Sequence, residues 1–314
     1  MNTKLVEDVA NAVLYEGYIL YPYRASAVKN RQRWNFGVLY PRAFAEAQHG
    51  SDAWSMQTEC LARAAGERCL LRVRMRFLHL IERRSISAPV WQEATERDID
   101  THFVEFGDLV SRRRLHTFSC PAGCEADGEI VRIREPLDGA IELDAENLGG
   151  DLYRVRVRVF NTALVAGDLS REMALMRSLV SAHTILELQE GEFISLLDPP
   201  EPLREAAAQC KNVGTWPVLA GEAGARDAML SSPIILYDYP QIAPESAGAL
   251  FDGTEIDEIL TLRIMTLTDE EKLEMDQVDP RARQILERTE CMPPEQLMKM
   301  HGALRGLRRS NQES

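Results

Sequence analysis

The chain reads as an α+β protein, with an antiparallel β-sandwich or open barrel in its N-terminal half, then a mixed α/β segment and short C-terminal helices packed on it. Three observations lead there. From about residue 18 to 165, apolar and polar residues alternate with period two in short runs broken by Gly, Pro and polar turns. Over about the last sixty residues the spacing becomes helical and the N-caps are strong. Neither the P-loop nor the dinucleotide-binding glycine signature, which would mark a βαβ fold, occurs.

Taken in order, residues 4–15 form a helix on the spacing of Leu5, Val9, Ala12 and Val13. "TECLARAAGERCLLRVRMRF" predicts a hairpin turning at Ala64–Glu67, with Cys60 opposite Leu71, Glu59 opposite Arg72 and Gln57 opposite Arg74. "IELDAENLGGDLYRVRVRVF" predicts a second hairpin around Gly149–Asp151. Its register opposes Glu146, Asp144 and Glu142 to Arg154, Arg156 and Arg158 on one face. On the other face Ala145, Leu143 and Ile141 meet Val155, Val157 and Val159. A slip of one residue would set charge against apolar positions throughout, so this register is well determined. Further strands are predicted at 35–40, 97–106, 115–120 and 129–134.

Beyond residue 165 the pattern is mixed. A helix starts near Asp168 or Ser170, and a hairpin turns at Glu190–Glu192. A proline-led helix follows "DPPEP", and the apolar runs "NVGTWPVLAGE" and "SSPIILYDYPQIAPES" read as buried strands or ordered loops. Near the C-terminus Thr254 with Asp257 and Thr268 with Glu271 suggest capping boxes, and Asp279–Pro280 is an N-cap followed by an N1 proline. An apolar stripe runs through Ile256, Ile259, Leu260, Ile264 and Leu267, and "RGLRRSNQES" is a frayed tail. This divides the chain into a β-rich part (1–165, with the N-terminal helix), a mixed α/β part (166–250) and helices with the tail (251–314), which together can form one continuous domain.

Composition excludes several function classes. With 314 residues and 45% hydrophobic content there is material for a sizeable core. A net charge of −13 argues against a nucleic-acid partner. No signal peptide and no apolar run long enough to span a bilayer is present, so no membrane insertion is expected. Six cysteines are too few for a disulfide scaffold, and the expected compartment is the cytoplasm. The charge is segregated. Residues 17–45 hold five cations and no acid, 186–205 hold six acids and one arginine, and 254–279 hold nine acids and two cations. The basic stretch therefore needs an acidic surface, in the chain or on a partner.

Candidate chemistry is sparse. His116, Cys120 and Cys124 in "HTFSCPAGC" could ligate zinc or an iron–sulfur cluster, though C-x3-C is not a knuckle spacing and a fourth ligand would have to come from afar. Cys60 and Cys69 read as core thiols and His183 as a structural strand histidine. No nucleophile elbow occurs, and acids are too plentiful for any one pair to stand out as general acid and base. The arginines 154, 156 and 158 are neutralised by the neighbouring strand and are not a phosphate site. No catalytic residue and no cofactor is assigned. The alternatives are a metal- or small-ligand-binding protein or enzyme using the 116–124 cluster, and a β-sandwich hydrolase with paired carboxylates. For a protein partner or an anion, the favoured contact residues are Tyr21, Tyr23, Arg24, Lys29, Asn30 and Arg31 in "EGYILYPYRASAVKNR", because Tyr and Arg often anchor interfaces.

Six stretches carry a likeness to a known group: "LYEGYILYPYRASAVKNR", "WNFGVLYP", "SAHTILELQEGEFISLLDPPE", "CKNVGTWPVLAGE", "SSPIILYDYPQIAPES" and "EIDEILTLRIMTLTDEEK". Spread over residues 14–272, they resemble uncharacterised accessory proteins encoded in gene clusters of actinobacterial-type nickel–iron hydrogenases. That resemblance implies a non-catalytic assembly role, with a hydrogenase subunit or a maturation factor as protein partner. It brings no catalytic residues with it.

Overall fold

The computed structural model of the chain describes residues 3–24, 27, 30, 33–65, 68–86, 90–242 and 257–300. The chain divides into two units, residues 1–16 with 34–241 and residues 17–33 with 242–314. The first is built on two antiparallel sheets. The five-stranded sheet runs in the order β11 (Gly191–Ile194), β1 (Ser55–Ala64), β9 (Leu152–Asn161), β8 (Leu137–Gly149), β5 (Arg114–Cys120). The eight-stranded sheet runs β12 (Trp216–Leu219), β13 (Ala228–Ser232), β10 (Val180–Gln189), β2 (Leu70–Ser85), β7 (Ile130–Arg134), β6 (Gly123–Asp127). On the opposite edge of β2 lie β3 (Trp91–Asp100) and β4 (Val104–Glu105). The sixteen residues of β2 thus act as a spine that several shorter strands share.

Period-two alternation places the core. Cys60, Ile141, Leu143, Val155, Val157 and Val159 of one sheet pack with Leu71, Val73, Met75, Phe77 and Leu186 of the other, all at 1% exposure or less. This is the α+β sandwich that the alternation predicts. Helix α1 (Thr3–Tyr15) covers the outer face of the larger sheet. Its Val6, Val9, Ala10 and Val13 pack on Ile185, Val218 and Leu230. The predicted stripe is turned slightly, since Leu5 is exposed and Val6 is buried. Short helices complete the unit: α2 (Arg42–Ala47), α3 (Phe106–Ser111), α4 (Arg171–Leu175) capped by Ser170, and α5 (Arg204–Ala208) after a proline-led turn.

The β8–β9 hairpin has the predicted register residue for residue, including Glu146 to Arg154, Asp144 to Arg156 and Glu142 to Arg158. A bulge between Asn147 and Gly149 closes the turn. The predicted β1–β2 hairpin does not form. Strand β1 pairs with β9 and β11, and β2 pairs with β10, β3, β4 and β7. Glu59 and Gln57 meet Arg156 and Arg158 of β9, while Arg72 meets Glu187 of β10. The hairpin expected around Glu190 is also a crossing between sheets, from β10 to β11.

The two crossings touch. A Cβ on Gly191 would lie 2.6 Å from Cys69 Sγ and 2.8 Å from the carbonyl oxygen of Arg63. One of those neighbours is backbone and cannot rotate away. Gly191→Ala is therefore expected to cost about 1–3 kcal/mol, the usual range for overpacking. A urea midpoint within error of the wild type would contradict it.

Two other predicted strands are shorter than expected. The run 35–40 contributes only a bridge at Leu39, to Ala53 and Leu179. The run 97–106 breaks after Asp100, whose carboxylate accepts from His102 N at 2.8 Å while His102 takes φ +59°.

The second unit combines the 17–33 stretch with α6 (Asp257–Met265), α7 (Asp269–Val278), α8 (Pro280–Glu290) and α9 (Pro294–Met300). Its interior holds Tyr18, Ile19, Tyr23, Leu260, Ile264, Met275 and Ile285. The Thr268–Glu271 capping box is complete, with Glu271 N donating to Thr268 Oγ1 and Thr268 N to the Glu271 carboxylate. Asp279 caps α8 by accepting from Arg281 N at 2.8 Å. Thr254, Ile256 and the predicted tail lie outside the described residues. Among those residues no helix is long and apolar enough to cross a membrane.

Candidate functional site

The basic N-terminal stretch is organised by groups of its own unit. Tyr18 is 1% exposed and donates its hydroxyl to Asp279 Oδ2 at 2.6 Å. Burial, reinforced by that carboxylate, raises the phenol well above its ordinary value. Arg33 donates to the Tyr18 carbonyl at 3.1 Å, and burial lowers its guanidinium to about 10. Asn30 closes the loop, accepting from Leu20 N and donating to the Leu20 carbonyl, each at 2.7 Å, and to the Arg24 carbonyl. Arg24 pairs with Glu271 at 3.1 Å, and the guanidinium of Arg263 stacks 5.4 Å from the Tyr21 ring. The counter-charge of this stretch thus includes Glu271 and Asp279, both from the acidic run 254–279. Tyr23 and Asn30 lie inside and shape the loop rather than offering a contact. Tyr21 is partly exposed, and Lys29 and Arg31 lie outside the described residues.

His116, Cys120 and Cys124 are not assembled into a centre. His116 and Cys120 share the inward face of β5, whereas Cys124 is exposed on β6, a strand of the other sheet. Among the described residues no three His, Cys, Asp or Glu side chains come together as metal ligands. Burial pushes the Cys60, Cys120 and Cys210 thiols up and takes Cys69 to about 11, so none of these four is a ready thiolate at neutral pH. On the outer face of the smaller sheet the carboxylates serve the arginine ladder. Arg156 binds Glu59 at 2.6 Å and Asp144 at 3.0 Å, Arg158 pairs with Glu142, and Arg154 meets Glu146 at 3.0 Å.

A different feature draws together three of the six family-like stretches. Residues 36–39 run beside the start of β10. Ser181 N donates to the Phe36 carbonyl at 3.2 Å and Ala182 N to the Gly37 carbonyl at 3.0 Å, and Leu39 and Leu179 exchange backbone bonds in both directions. The strand accommodates this with a bulge between Val180 and His183, and Ser181 takes φ +51°. Gly37 has φ +52°, and a Cβ there would lie 2.6 Å from Pro233 Cγ, so "WNFGVLYP", "SAHTIL" and "SSPIILYDYP" meet at one place.

From Pro233 the chain continues with inside–outside alternation. Ile234 and Leu236 pack into the cluster under α1, whereas Ile235 is 90% and Tyr237 85% exposed. The next residues hold this segment down. Asp238 accepts from Leu219 N at 2.8 Å and from the Ser195 hydroxyl, and Tyr239 N donates to the Leu219 carbonyl at 2.7 Å. Two large apolar side chains are thus presented from a backbone fixed at both ends. Sequence reading passed over them because period-two alternation in an apolar run looks like a buried strand. The signal was the bracketing prolines, Pro233 and Pro240, which keep the run from joining a central ladder.

The stretch "CKNVGTWP" is anchored too. Val213 and Gln57 exchange backbone bonds at 2.9 and 3.0 Å, Glu59 N donates to Asn212 Oδ1, and Lys211 N donates to Glu59 Oε2 at 2.8 Å. Neither a protein-family model nor a curated protein matches the chain.

Proposed function

We propose that the protein is a cytoplasmic, non-catalytic accessory factor for a nickel–iron hydrogenase, acting by binding a hydrogenase subunit or a maturation partner. The hydrogenase assignment rests on the six resembling stretches. The observation that carries the binding role is the junction of three of them, which leaves Ile235 and Tyr237 exposed on an anchored backbone. Large apolar and aromatic side chains held in place lose little entropy on association and are the usual anchors of interfaces. The ion-paired carboxylates and the protonated buried thiols also favour binding over chemistry.

Affinity purification of the tagged full chain from cells expressing the hydrogenase tests the reading. A hydrogenase subunit or maturation factor is expected to co-purify, and the double variant Ile235→Asp/Tyr237→Ala is expected to lose it while remaining folded. Recovery of no hydrogenase component with the wild-type chain would overturn the proposal.

A further inference from the structure

The edges of the two sheets are not equally protected. Among the edge strands, β11 and β12 have four residues each and β12 contains Pro217. Strand β6 carries Glu125 and Asp127, and β3 carries Glu93, Glu96, Arg97, Asp98 and Asp100. Short length, proline and charge are the usual devices that stop an edge from pairing with another chain. Strand β5 has none of them from Leu115 to Cys120, "LHTFSC". It pairs with β8 along its whole length, from Arg114–Leu143 to Cys120–Leu137, and among the described residues its other edge meets no strand. Leu115 is 63% exposed, and Thr117 and Ser119 are exposed as well.

A cavity of about 390 Å³ opens beside the first half of this edge. Its lining includes Arg114, His116 and Leu143 from the smaller sheet and Phe103, Val104 and Glu105 from across the sandwich. Arg114 is committed to Asp108 at 2.6 Å, whereas the exposed Glu105 forms no ion pair among the described residues. The cavity is thus of mixed character, with Phe103, Val104 and Leu115 beside Thr101, the Arg114–Asp108 pair and one uncommitted carboxylate.

The geometry points to β5 as a strand-addition site for an extended segment of a partner protein that carries a basic side chain. A strand added antiparallel to β5 would extend the smaller sheet, and its alternate side chains would share the inward face of Arg114, His116 and Phe118. A lysine or arginine opposite His116 would lay its methylenes against Phe103 and Val104 and bring its charge to Glu105. A second copy of this chain fits less well. Antiparallel pairing about Thr117 sets Phe118 opposite His116, which supplies no cation for Glu105. The inference rests on the chain being a binding protein and not on the hydrogenase assignment.

The test uses the full chain and the heptapeptide Ser-Val-Thr-Lys-Thr-Val-Ser-amide carrying fluorescein on its N-terminus, followed by anisotropy. Saturable binding is expected, about tenfold weaker when norleucine replaces the lysine. Glu105→Gln should weaken the lysine peptide by a similar factor and leave the norleucine peptide unchanged. N-methylation of one alternate set of peptide nitrogens should abolish binding, whereas methylation of the other set should not. That asymmetry is specific to a strand bonded along one edge. Three results would each overturn the proposal: no saturation by about 1 mM peptide, equal effects of the two methylated sets, or dimerisation of the chain through β5 that the peptide cannot reverse. Failure here with hydrogenase co-purification intact would remove this site alone.

Discussion

Replacing Glu59 with alanine is expected to lower the stability of the sandwich unit by about 3 kcal/mol, the scale for breaking a buried ion pair from one side. Glu59 is 3% exposed and does three jobs. One carboxylate oxygen takes Arg156 at 2.6 Å, the other takes Lys211 N at 2.8 Å, and its own N–H is held by Asn212. Alanine leaves the Lys211 N–H without its acceptor. It also leaves Arg156 with Asp144 as its remaining ladder partner, at 3.0 Å. Glu59→Gln keeps an acceptor for the amide but not the charge, and should cost about half as much. Urea denaturation checks the order wild type, Gln, Ala. A loss under about 1 kcal/mol for the alanine variant would show that solvent or Asp144 replaces the missing carboxylate at little cost.

The second large effect is a loss of stability in mild acid. His79 and His183 are both fully buried, and burial lowers each imidazole to about 4 from 6.5. His79 bonds the Glu135 carbonyl through Nε2, with Arg97 and Arg134 opposing its protonation. His183 bonds the Ser181 carbonyl through Nδ1, with Arg76 nearby. Since the folded values lie below the unfolded one, the unfolded chain takes up protons first as pH falls. The stability is complete above about 6.5 and is lost progressively down to about 4. At pH 5 the loss amounts to about 2 kcal/mol for each histidine. Urea midpoints at pH 7.5 and pH 5 should differ accordingly, and His183→Gln should flatten the dependence by roughly half. Equal midpoints at the two pH values would mean that the imidazoles are not held neutral. Asp100, lowered by its bond to Arg72, adds a further loss only at more acidic pH.

How much of this was legible in the sequence depended on whether local pattern had a single solution. The β8–β9 hairpin did, because a Gly-rich turn joins two strands whose charges and apolar residues match in one register only. Glu59 did not. The chain contains two similar arginine stripes, 72/74/76 and 154/156/158, and Glu59, the one acid of β1, matches either. Proximity in sequence favoured the first, but the fold chose the second and gave Arg72 to Asp100 and Glu187. The choice is made by the layering of two sheets, which no local register contains. The helix caps at Thr268 and Asp279 were legible because a cap is a contact within one turn. For the basic stretch, the need for distant acids was readable, while the particular partners Glu271 and Asp279 were not. Ile235 and Tyr237 were hidden by a pattern that fits a buried strand equally well.

The proposed accessory role is tested most directly by hydrogenase activity in a strain from which this protein alone has been removed. A large loss of hydrogen oxidation is expected, with hydrogenase transcripts unchanged and the subunits accumulating unassembled. Restoration by the wild-type chain but not by Ile235→Asp/Tyr237→Ala would place the effect at the exposed pair. Full activity and normal subunit assembly without the protein would contradict the account.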